Sequence, residues 1–153
     1  MVKLIFDKDY YPKGTSQDSE SDIVKASAVN FYENVTKEEV EQYNKSQQHG
    51  NDETPVSHGL NSKLVKENGQ LVEKVYKSGG MYGAAIDKIV FWLEKAQGVA
   101  ENKQQADALG LLIDYYKTGD LETWDDYNMV RVGATDGNID YINSFIEVYN
   151  DPL

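Results

Sequence analysis

The clearest hydrophobic pattern lies in the middle of the chain, where apolar residues recur every three or four positions along two long stretches. This spacing places them on one face of an α-helix. It predicts one helix over about residues 81–99 and another over about residues 103–117. Their apolar stripes are Ile86, Ile89, Val90, Leu93 and Ala96 in the first helix, and Ala106, Leu109, Leu112, Ile113 and Tyr116 in the second. We expect the stripes to pack together as an antiparallel pair, joined by a short turn near residues 100–102.

A third helix is predicted directly after this pair. Gly119 follows the second stripe, and glycine commonly ends a helix because it adopts the left-handed conformation without strain. The side chain of Asp120 can accept hydrogen bonds from the exposed amides at the start of the next helix. That helix should run through Trp124, Tyr127 and Val130, so that helices occupy residues 81–132.

Two local signals mark the N-terminal half. Thr36 and Glu39 have the spacing of a capping box, in which each side chain bonds the backbone amide of the other, so a helix should start there and run to about Gln48. Further along, two apolar runs flank the dipeptide Asn68-Gly69. Both residues tolerate positive φ, so residues 63–77 are predicted to form a β-hairpin.

The other N-terminal segments give weaker signals. Residues 2–6 form a short apolar run, which we interpret as a strand. Residues 7–21 are rich in Asp, Ser, Gly, Lys and Pro and are predicted to be loop, as are residues 49–58. Residues 23–32 fit neither the helical nor the strand period.

The C-terminal residues 139–150 fit two patterns. Ile139, Ile142, Ile146 and Tyr149 match a helical stripe, but the alternation of apolar side chains also fits a strand. The many β-branched and aromatic residues favour an extended segment, ended before Pro152. The chain 1–153 is therefore predicted to be a single α+β domain or fragment, mainly helical, with residues 1–80 mixed, helices at 81–132 and an extended segment at 139–150.

Composition excludes several classes of partner. The chain has 153 residues and a formal net charge of −11. An acidic surface repels phosphate backbones and anionic lipid headgroups, so we expect no nucleic-acid and no membrane partner. No apolar run reaches the roughly 20 residues that a membrane-spanning helix needs. Cysteine is absent, which suits a reducing compartment, and we predict a cytoplasmic protein.

The residues give little direct evidence of catalysis. Catalytic zinc needs three protein ligands, and the chain offers two histidines, His49 and His58, on one predicted loop. We expect both to be exposed to solvent, and we predict no metal ligand and no catalytic residue. Tyrosine is frequent, with 11 Tyr against 4 Phe. For Tyr115, Tyr116 and Tyr127 we favour ordinary packing over a role in ligand binding.

Six stretches of the sequence carry information when they are taken together. They are Asp52-Glu-Thr-Pro-Val-Ser-His-Gly-Leu-Asn-Ser62, Lys77-Ser-Gly-Gly-Met-Tyr-Gly-Ala-Ala-Ile86, Ile89-Val-Phe-Trp-Leu-Glu-Lys-Ala96, Val99-Ala-Glu-Asn102, Tyr116-Lys-Thr-Gly-Asp-Leu121 and Phe145-Ile-Glu-Val-Tyr-Asn-Asp-Pro152. Together they resemble the dipeptidyl peptidase III family of two-lobed zinc exopeptidases. The resemblance covers residues from about Asn51 to the end, and more loosely the whole chain. One departure is Arg131, where the family leads us to expect an aromatic residue.

The resemblance implies that this chain lacks the zinc site of its family. The hallmarks are a His-Glu-x-x-Gly-His helix and a later Glu-Glu-x-x-Arg/Lys helix, and neither motif occurs in the sequence. We therefore expect an internal fragment from upstream of the zinc motifs. Zinc would belong to the full-length parent enzyme and not to this chain, which by itself is predicted to be inactive.

The resemblance also implies a role for two residues, Glu147 and Tyr149. The matching glutamate in the family binds the free α-amino group of the peptide, and the matching tyrosine lines the same subsite. A fixed carboxylate recognises an ammonium group through a charge-assisted hydrogen bond. The expected partners are the N-terminal ends of short peptides and the remainder of the parent enzyme. The alternative is a free-standing, non-catalytic domain that binds peptides or other partners.

Overall fold

The computed structural model of the chain describes residues 2–7, 9–12, 14–18, 20–47, 56–143 and 152–153. The fold is α+β, as predicted. The chain divides into two compact units. The first takes its described residues from Met1–Asp52, Ser62–Glu73 and Phe145–Leu153, and the second from Glu53–Asn61 and Lys74–Ser144.

The first unit contains short helices and a small sheet. Its helices are α1 (Val2–Phe6), α2 (Ile23–Ala26) and α3 (Lys37–Gln47), and its strands are β1 (Tyr32–Glu33), β2 (Ser62–Glu67) and β3 (Gln70–Val75), whose last two residues belong to the second unit. The strand order is β1-β2-β3, and β1 runs parallel to β2. Val24, Val35, Val40 and Leu64 form the buried cluster of this unit.

The capping box at the start of α3 is confirmed. The Glu39 amide donates to Thr36 Oγ1 over 3.2 Å, and the Thr36 amide donates to a Glu39 carboxylate oxygen over 3.0 Å. The backbone amides at the start of a helix have no carbonyl partner within the helix. The exchange gives each of two such amides a side-chain acceptor. The local sequence thus fixes where α3 begins, and Val40, one residue further, is fully buried.

The predicted hairpin is also confirmed. β2 and β3 flank the turn residues Asn68 and Gly69, whose φ angles are 50° and 82°. Positive φ at both central positions matches the right-handed twist of the two strands, and this is why Asn-Gly predicts hairpins well.

The prediction of a strand at residues 2–6 is wrong, because this segment forms helix α1. A strand needs a partner, and the sheet formed by the described residues does not include this segment. Val2, Ile5 and Phe6 are 73%, 57% and 79% exposed. High β-propensity mainly expresses packing on a half-buried pleated surface, and these side chains have no such surface.

The second unit is built on three helices, α4 (Gly83–Gln97), α5 (Lys103–Thr118) and α6 (Leu121–Gly133). α4 and α5 pack as the predicted antiparallel pair. Near their turn the Gln97 side chain donates to the Ala106 carbonyl over 3.1 Å, and further along Ile86 and Val90 pack on Ile113. Leu112 is fully buried. The predicted stripe is wrong at Ile89, which is 42% exposed. Leu93 is partly buried and packs at the edge of the core.

The three tyrosines assigned to packing do pack. Tyr115 and Tyr127 are 1% and 2% exposed, and Tyr116 packs against the cluster of Ile86, Val90 and Ile113. The Trp124 ring lies between Tyr115 and Tyr127, with centroid distances of 4.9 and 5.3 Å. Tilted ring pairs at this separation are favourable. The aromatic residues therefore help to join α5 to α6.

The junction of α5 and α6 follows the sequence signals. Gly119 has φ 75° and donates its amide to the Tyr115 carbonyl over 2.7 Å. Asp120 then accepts from the Thr123 amide over 3.1 Å and starts α6. After α6 the described residues 134–143 form neither helix nor strand. Residues 144–150 of the predicted extended segment lie outside the described residues.

Candidate functional site

The predicted substrate-binding residues, Glu147 and Tyr149, lie outside the described residues. The structure describes the segment that leads to them from the end of α6. We call residues 136–143 the 136–143 arm. Its contacts with the turn between α4 and α5, with α5 and with α6 lie within the second unit.

The first group of contacts on the arm comes from Glu101, in the turn between α4 and α5. Its Oε2 atom accepts from the backbone amides of Asn138 and Ile139 over 2.9 and 3.0 Å. Its Oε1 atom accepts from the Asn138 side-chain amide over 3.1 Å. The Ile139 amide, followed by the two Asn138 donors, holds the pKa of Glu101 below its usual value. Glu101 is therefore charged at neutral pH and bonds two successive amides of the arm.

Two residues at the start of α5 bond the carbonyl groups of the same stretch. Asn102 caps α5 by accepting from the Gln105 amide over 2.8 Å, and it donates its side-chain NH₂ to the Asp136 carbonyl over 2.6 Å. The Gln105 side chain donates to the Ile139 carbonyl over 3.1 Å. The start of the arm is thus bonded through amides and carbonyls to one helix end.

Arg131, near the end of α6, bonds the later part of the arm. Its guanidinium donates to the Tyr141 carbonyl over 2.9 Å and pairs with the Asp140 carboxylate over 2.7 Å. The guanidinium carbon also lies 5.1 Å from the centroid of the Tyr141 ring. Arg131 is the residue at which the resemblance leads us to expect an aromatic side chain. In this chain the guanidinium group makes three contacts, all of them with the adjacent residues Asp140 and Tyr141.

The end of the arm is bonded once more, and a shallow cavity lies beside it. The Tyr116 hydroxyl donates to the Asn143 side-chain oxygen over 3.1 Å. Between the arm and the helices lies a cavity of about 260 Å³, lined among others by Gln105, Arg131, Gly137 and Tyr141. The cavity is open, and polar groups bonded to one another line much of it.

A second junction brings together stretches that are distant in sequence. The buried Asn61 donates its side-chain NH₂ to the Gly119 carbonyl over 3.0 Å. The Ser78 amide donates to the Tyr116 carbonyl over 2.9 Å. A Cβ atom on Gly119 would lie 2.5 Å from Val75 Cγ1, so the close approach requires glycine. Three of the stretches that carry the family resemblance therefore meet here for structural reasons.

The first unit has a polar cluster of its own. Glu73 accepts from the Tyr43 hydroxyl over 2.8 Å and from the buried Ser62 hydroxyl over 2.6 Å. Burial first, and then the Glu73 carboxylate, raise the pKa of Tyr43 to about 12. Tyr43 therefore stays protonated at neutral pH and acts as a hydrogen-bond donor that ties α3 to β3.

The described residues do not fit a catalytic metal. Of the two histidines, His58 is exposed and His49 lies outside the described residues. Among the residues that the structure describes, no three His, Asp or Glu side chains are grouped so that they could hold a metal ion.

The helices of the described residues were also compared with the length and hydropathy that a membrane span requires. None of these helices combines sufficient length with sufficient apolar character to cross a bilayer.

Sequence reasoning missed the roles of Glu101 and Arg131. Neither lies on an apolar stripe, and hydrophobic periodicity carries no information about polar side chains that bond a distant backbone. The one local signal is Asn102, whose position just before a predicted helix marks it as an N-cap. Its second contact, to Asp136, joins residues 34 positions apart and has no sequence signature.

Comparison with known proteins gives one result that bears on function. The family model of peptidase family M49, which is the dipeptidyl peptidase III family, matches residues 7–153. The match begins well before Asn51, where the resemblance seen in the sequence becomes clear. No curated protein matches the chain.

Proposed function

The chain belongs to peptidase family M49, and we propose that it carries the subsite that binds the N-terminal end of short peptides in a zinc-dependent dipeptidyl peptidase. The observation that carries the proposal is the extent of the family match, which includes Phe145-Ile-Glu147-Val-Tyr149. The resemblance implies that Glu147 binds the free α-amino group of the peptide and that Tyr149 lines the same subsite, so this block would hold the residues that recognise the peptide terminus.

The chemistry of Glu147 suits this role. An exopeptidase must distinguish a free α-amino group from an internal peptide bond, and the distinguishing property is the positive charge of the ammonium. A carboxylate binds that charge through a hydrogen bond worth about 1.5–3 kcal/mol. Tyr149, two residues on, would provide an aromatic wall and a hydroxyl beside the same group.

The zinc chemistry would be supplied by other parts of the enzyme. The sequence has no His-Glu-x-x-Gly-His motif, and the described residues contain no set of ligands that fits the metal. We therefore assign no step of bond cleavage to this chain. On this proposal its contribution is to select and orient the substrate, in a cytoplasmic enzyme whose metal ligands and general base come from the remainder of the protein.

The charge of Glu147 provides the test. In the full-length product of the gene, Glu147→Gln keeps the shape of the side chain and removes its charge, so kcat/KM for short peptides should fall about tenfold or more, since a bond to a charged group is lost. Glu122→Gln, a matched change on the exposed surface of α6, should have no effect. N-acetylated peptides should be poor substrates for every form.

The same variant distinguishes two other outcomes. If Glu147 only pairs with a neighbouring cation, Glu147→Gln lowers the melting temperature and leaves peptide affinity unchanged, which would contradict the subsite. If the full-length product binds peptides through Glu147 but releases no dipeptides, the free-standing peptide-binding domain is the better description.

A further inference from the structure

We propose that the exposed side of helix α4 is a docking face, and that its occupant is an acidic, amphipathic α-helix from the remainder of the full-length enzyme. The proposal rests on the proposed function in one respect, since both treat the chain as part of a longer peptidase. It does not involve the peptide-terminus subsite. The residues that carry it lie in or beside α4, within the second unit.

Helix α4 has two apolar sides, and the second unit covers one of them. On that side Ile86 and Val90 pack on Ile113 of α5. A second apolar row, which we call the α4 seam, follows the other side of the helix and comprises Tyr82, Ala85, Ile89, Trp92, Ala96 and Val99. Its four large members are between 42% and 81% exposed. A helix that is apolar on more than one side is normally buried on both, so the seam indicates a surface that another element covers.

The spacing of the α4 seam indicates what kind of element covers it. From Tyr82 to Val99 the apolar residues follow one another in alternating steps of three and four positions. This is the spacing with which one α-helix packs along another. Trp92 lies near the middle of the row, and its ring packs edge-on against the Phe91 ring with the centroids 5.2 Å apart. Tryptophan is a frequent anchor of interfaces. An α-helix is therefore the element that fits.

The charged residues beside the α4 seam indicate the charge of this helix. Lys88 and Lys95 flank the seam on one side, in a chain whose formal net charge is −11. The Lys95 ammonium lies 5.4 Å from the centroid of the Phe91 ring. Neither lysine pairs with a carboxylate among the residues that the structure describes. Residues that flank a helical seam favour partners of opposite charge, so the occupant carries Asp or Glu beside its own apolar row.

The acidic residues of α4 do not neutralise the two lysines. With 3.6 residues per turn, Asp87 and Glu94 lie about half a turn away from the α4 seam. Asp87 accepts a hydrogen bond from the Ser78 hydroxyl, and Glu94 pairs with Lys117 over 2.8 Å. Both carboxylates therefore serve contacts within the second unit. The seam keeps a positive flank on a protein that is acidic as a whole.

A second copy of the chain does not fit this face. Two antiparallel α4 seams would set lysine against lysine, and a parallel pair would need the flank where Ile86 and Leu93 already pack in the core. An anionic membrane fits less well than a helix. Lysine and tryptophan are typical of helices that lie on membranes, but the net charge of −11 repels anionic headgroups.

The first experiment tests the chemistry of the occupant with the 153-residue chain. The probe is a fluorescent helical heptad peptide with leucine at the seam positions and glutamate at the flanking positions, and a matched peptide carries lysine in place of glutamate. Fluorescence anisotropy should show that the glutamate peptide binds about tenfold or more tightly than the lysine peptide. Trp92→Ala should weaken binding of the glutamate peptide by about tenfold or more.

Charge reversal gives the sharpest form of this test. Lys88→Glu combined with Lys95→Glu should reverse the preference, so that the lysine peptide binds more tightly. Lys25→Glu combined with Lys45→Glu is the matched control, because it changes the net charge equally at two exposed lysines of the first unit. The control should keep the preference for the glutamate peptide. Equal binding of the two peptides, or a reversal in the control, would overturn the proposal.

The second experiment tests whether the occupant belongs to the same enzyme. Hydroxyl-radical labelling with mass spectrometry should modify Trp92 readily in the 153-residue chain and about fivefold or more slowly in the full-length product of the gene, since a docked helix covers it. Trp124, which packs against Tyr115 and Tyr127, is the internal reference and should react equally in both. Charge reversal at Lys88 and Lys95 should restore the labelling of Trp92 in the full-length product.

Several outcomes would contradict the docking face. Equal labelling of Trp92 in the two proteins would do so, as would protection of Trp92 already in the 153-residue chain. Self-association that Trp92→Ala abolishes would identify a second copy as the occupant. Binding to vesicles of phosphatidylserine and phosphatidylcholine without a preference between the peptides would identify a membrane. If the charge-reversed chain fails to fold, Trp92→Ala with the two peptides decides alone.

The two proposals fail separately. Glu147→Gln in the full-length product should leave the labelling of Trp92 unchanged. If kcat/KM does not respond to Glu147→Gln while Trp92 is protected, the subsite is wrong and the docking face stands. If kcat/KM falls as expected while Trp92 is labelled equally in both proteins, the docking face is wrong and the subsite stands.

Discussion

The three helices α4–α6 and the 136–143 arm belong to the same unit but are held in place by different forces. The helices bury Leu112, Tyr115 and Tyr127 almost completely, whereas the arm exposes Ile139 and Ile142. Burial of apolar surface is non-directional and determines which faces pack. Hydrogen bonds are directional and determine where a backbone segment lies. The scaffold is therefore stabilised by its core, and the arm is positioned by polar side chains.

The two kinds of support have different consequences. A core of apolar side chains tolerates small adjustments of backbone position as long as its volume is filled. A segment outside helices and strands needs directional bonds to keep its position, and charged side chains bonded to backbone amides and carbonyls supply them. In this chain Glu101 and Arg131 stand at the ends of the helices and connect the two kinds of structure.

The largest expected effect is at Leu112, which is fully buried in α5. Leu112→Ala removes apolar contacts and leaves a cavity, so the free energy of unfolding should fall by about 2–5 kcal/mol. Leu93→Ala, at the edge of the core, should cost clearly less. Urea denaturation of the chain gives both values. A loss below about 0.5 kcal/mol at Leu112, typical of surface sites, would show that the helices do not pack through this face.

Gly119→Ala is expected to have the next largest effect. This substitution tests the junction between α5 and α6. The φ of Gly119 is 75°, and a Cβ atom would meet Val75 Cγ1 at 2.5 Å. The left-handed conformation alone costs a residue with a Cβ atom roughly 1–2 kcal/mol, so Gly119→Ala should destabilise the chain by at least about that amount.

Gly98 is the control for this substitution. It follows α4 with φ −68°, in the right-handed helical region, and a Cβ atom there would meet nothing closer than 3.5 Å. Gly98→Ala should be neutral or stabilise by up to about 1 kcal/mol, because alanine restricts the unfolded chain. Equal losses in thermal melts of the two variants would contradict the strained geometry assigned to Gly119.

The same contrast explains what could be predicted from sequence. The helices, the capping box at Thr36 and the hairpin turn at Asn68 were predicted because each depends on residues a few positions apart. The strand predicted at residues 2–6 failed because strand formation depends on a distant partner, which the local sequence does not reveal. Periodicity predicts that Ile89 lies in the core. It identifies the apolar face of a helix, but it does not show which edge of that face the neighbouring helix covers.

The candidate site shows the same limit more sharply. Glu101 and Arg131 contact residues 138, 139 and 141 through the fold, and nothing in their own neighbourhood marks them. Glu147 and Tyr149 were assigned through a resemblance to a family and not through a physical pattern, and that assignment stays a prediction. Family membership over residues 7–153 supports the peptidase context in which it was made.

The smallest expected effect is at Ile142, and it is the direct test of how the arm is held. Ile142 is 95% exposed, whereas Ile113 in α5 is 4% exposed. The same substitution by alanine should therefore cost about 2–5 kcal/mol at Ile113 and less than about 0.5 kcal/mol at Ile142, since an exposed side chain has little contact to lose. Urea denaturation monitored by circular dichroism measures both. If Ile142→Ala instead lowered stability by more than about 1 kcal/mol, or sped amide exchange at residues 138 and 139, apolar contact would be holding the arm. The roles assigned to Glu101 and Arg131 would then lose their physical basis, because the arm would keep its position without them.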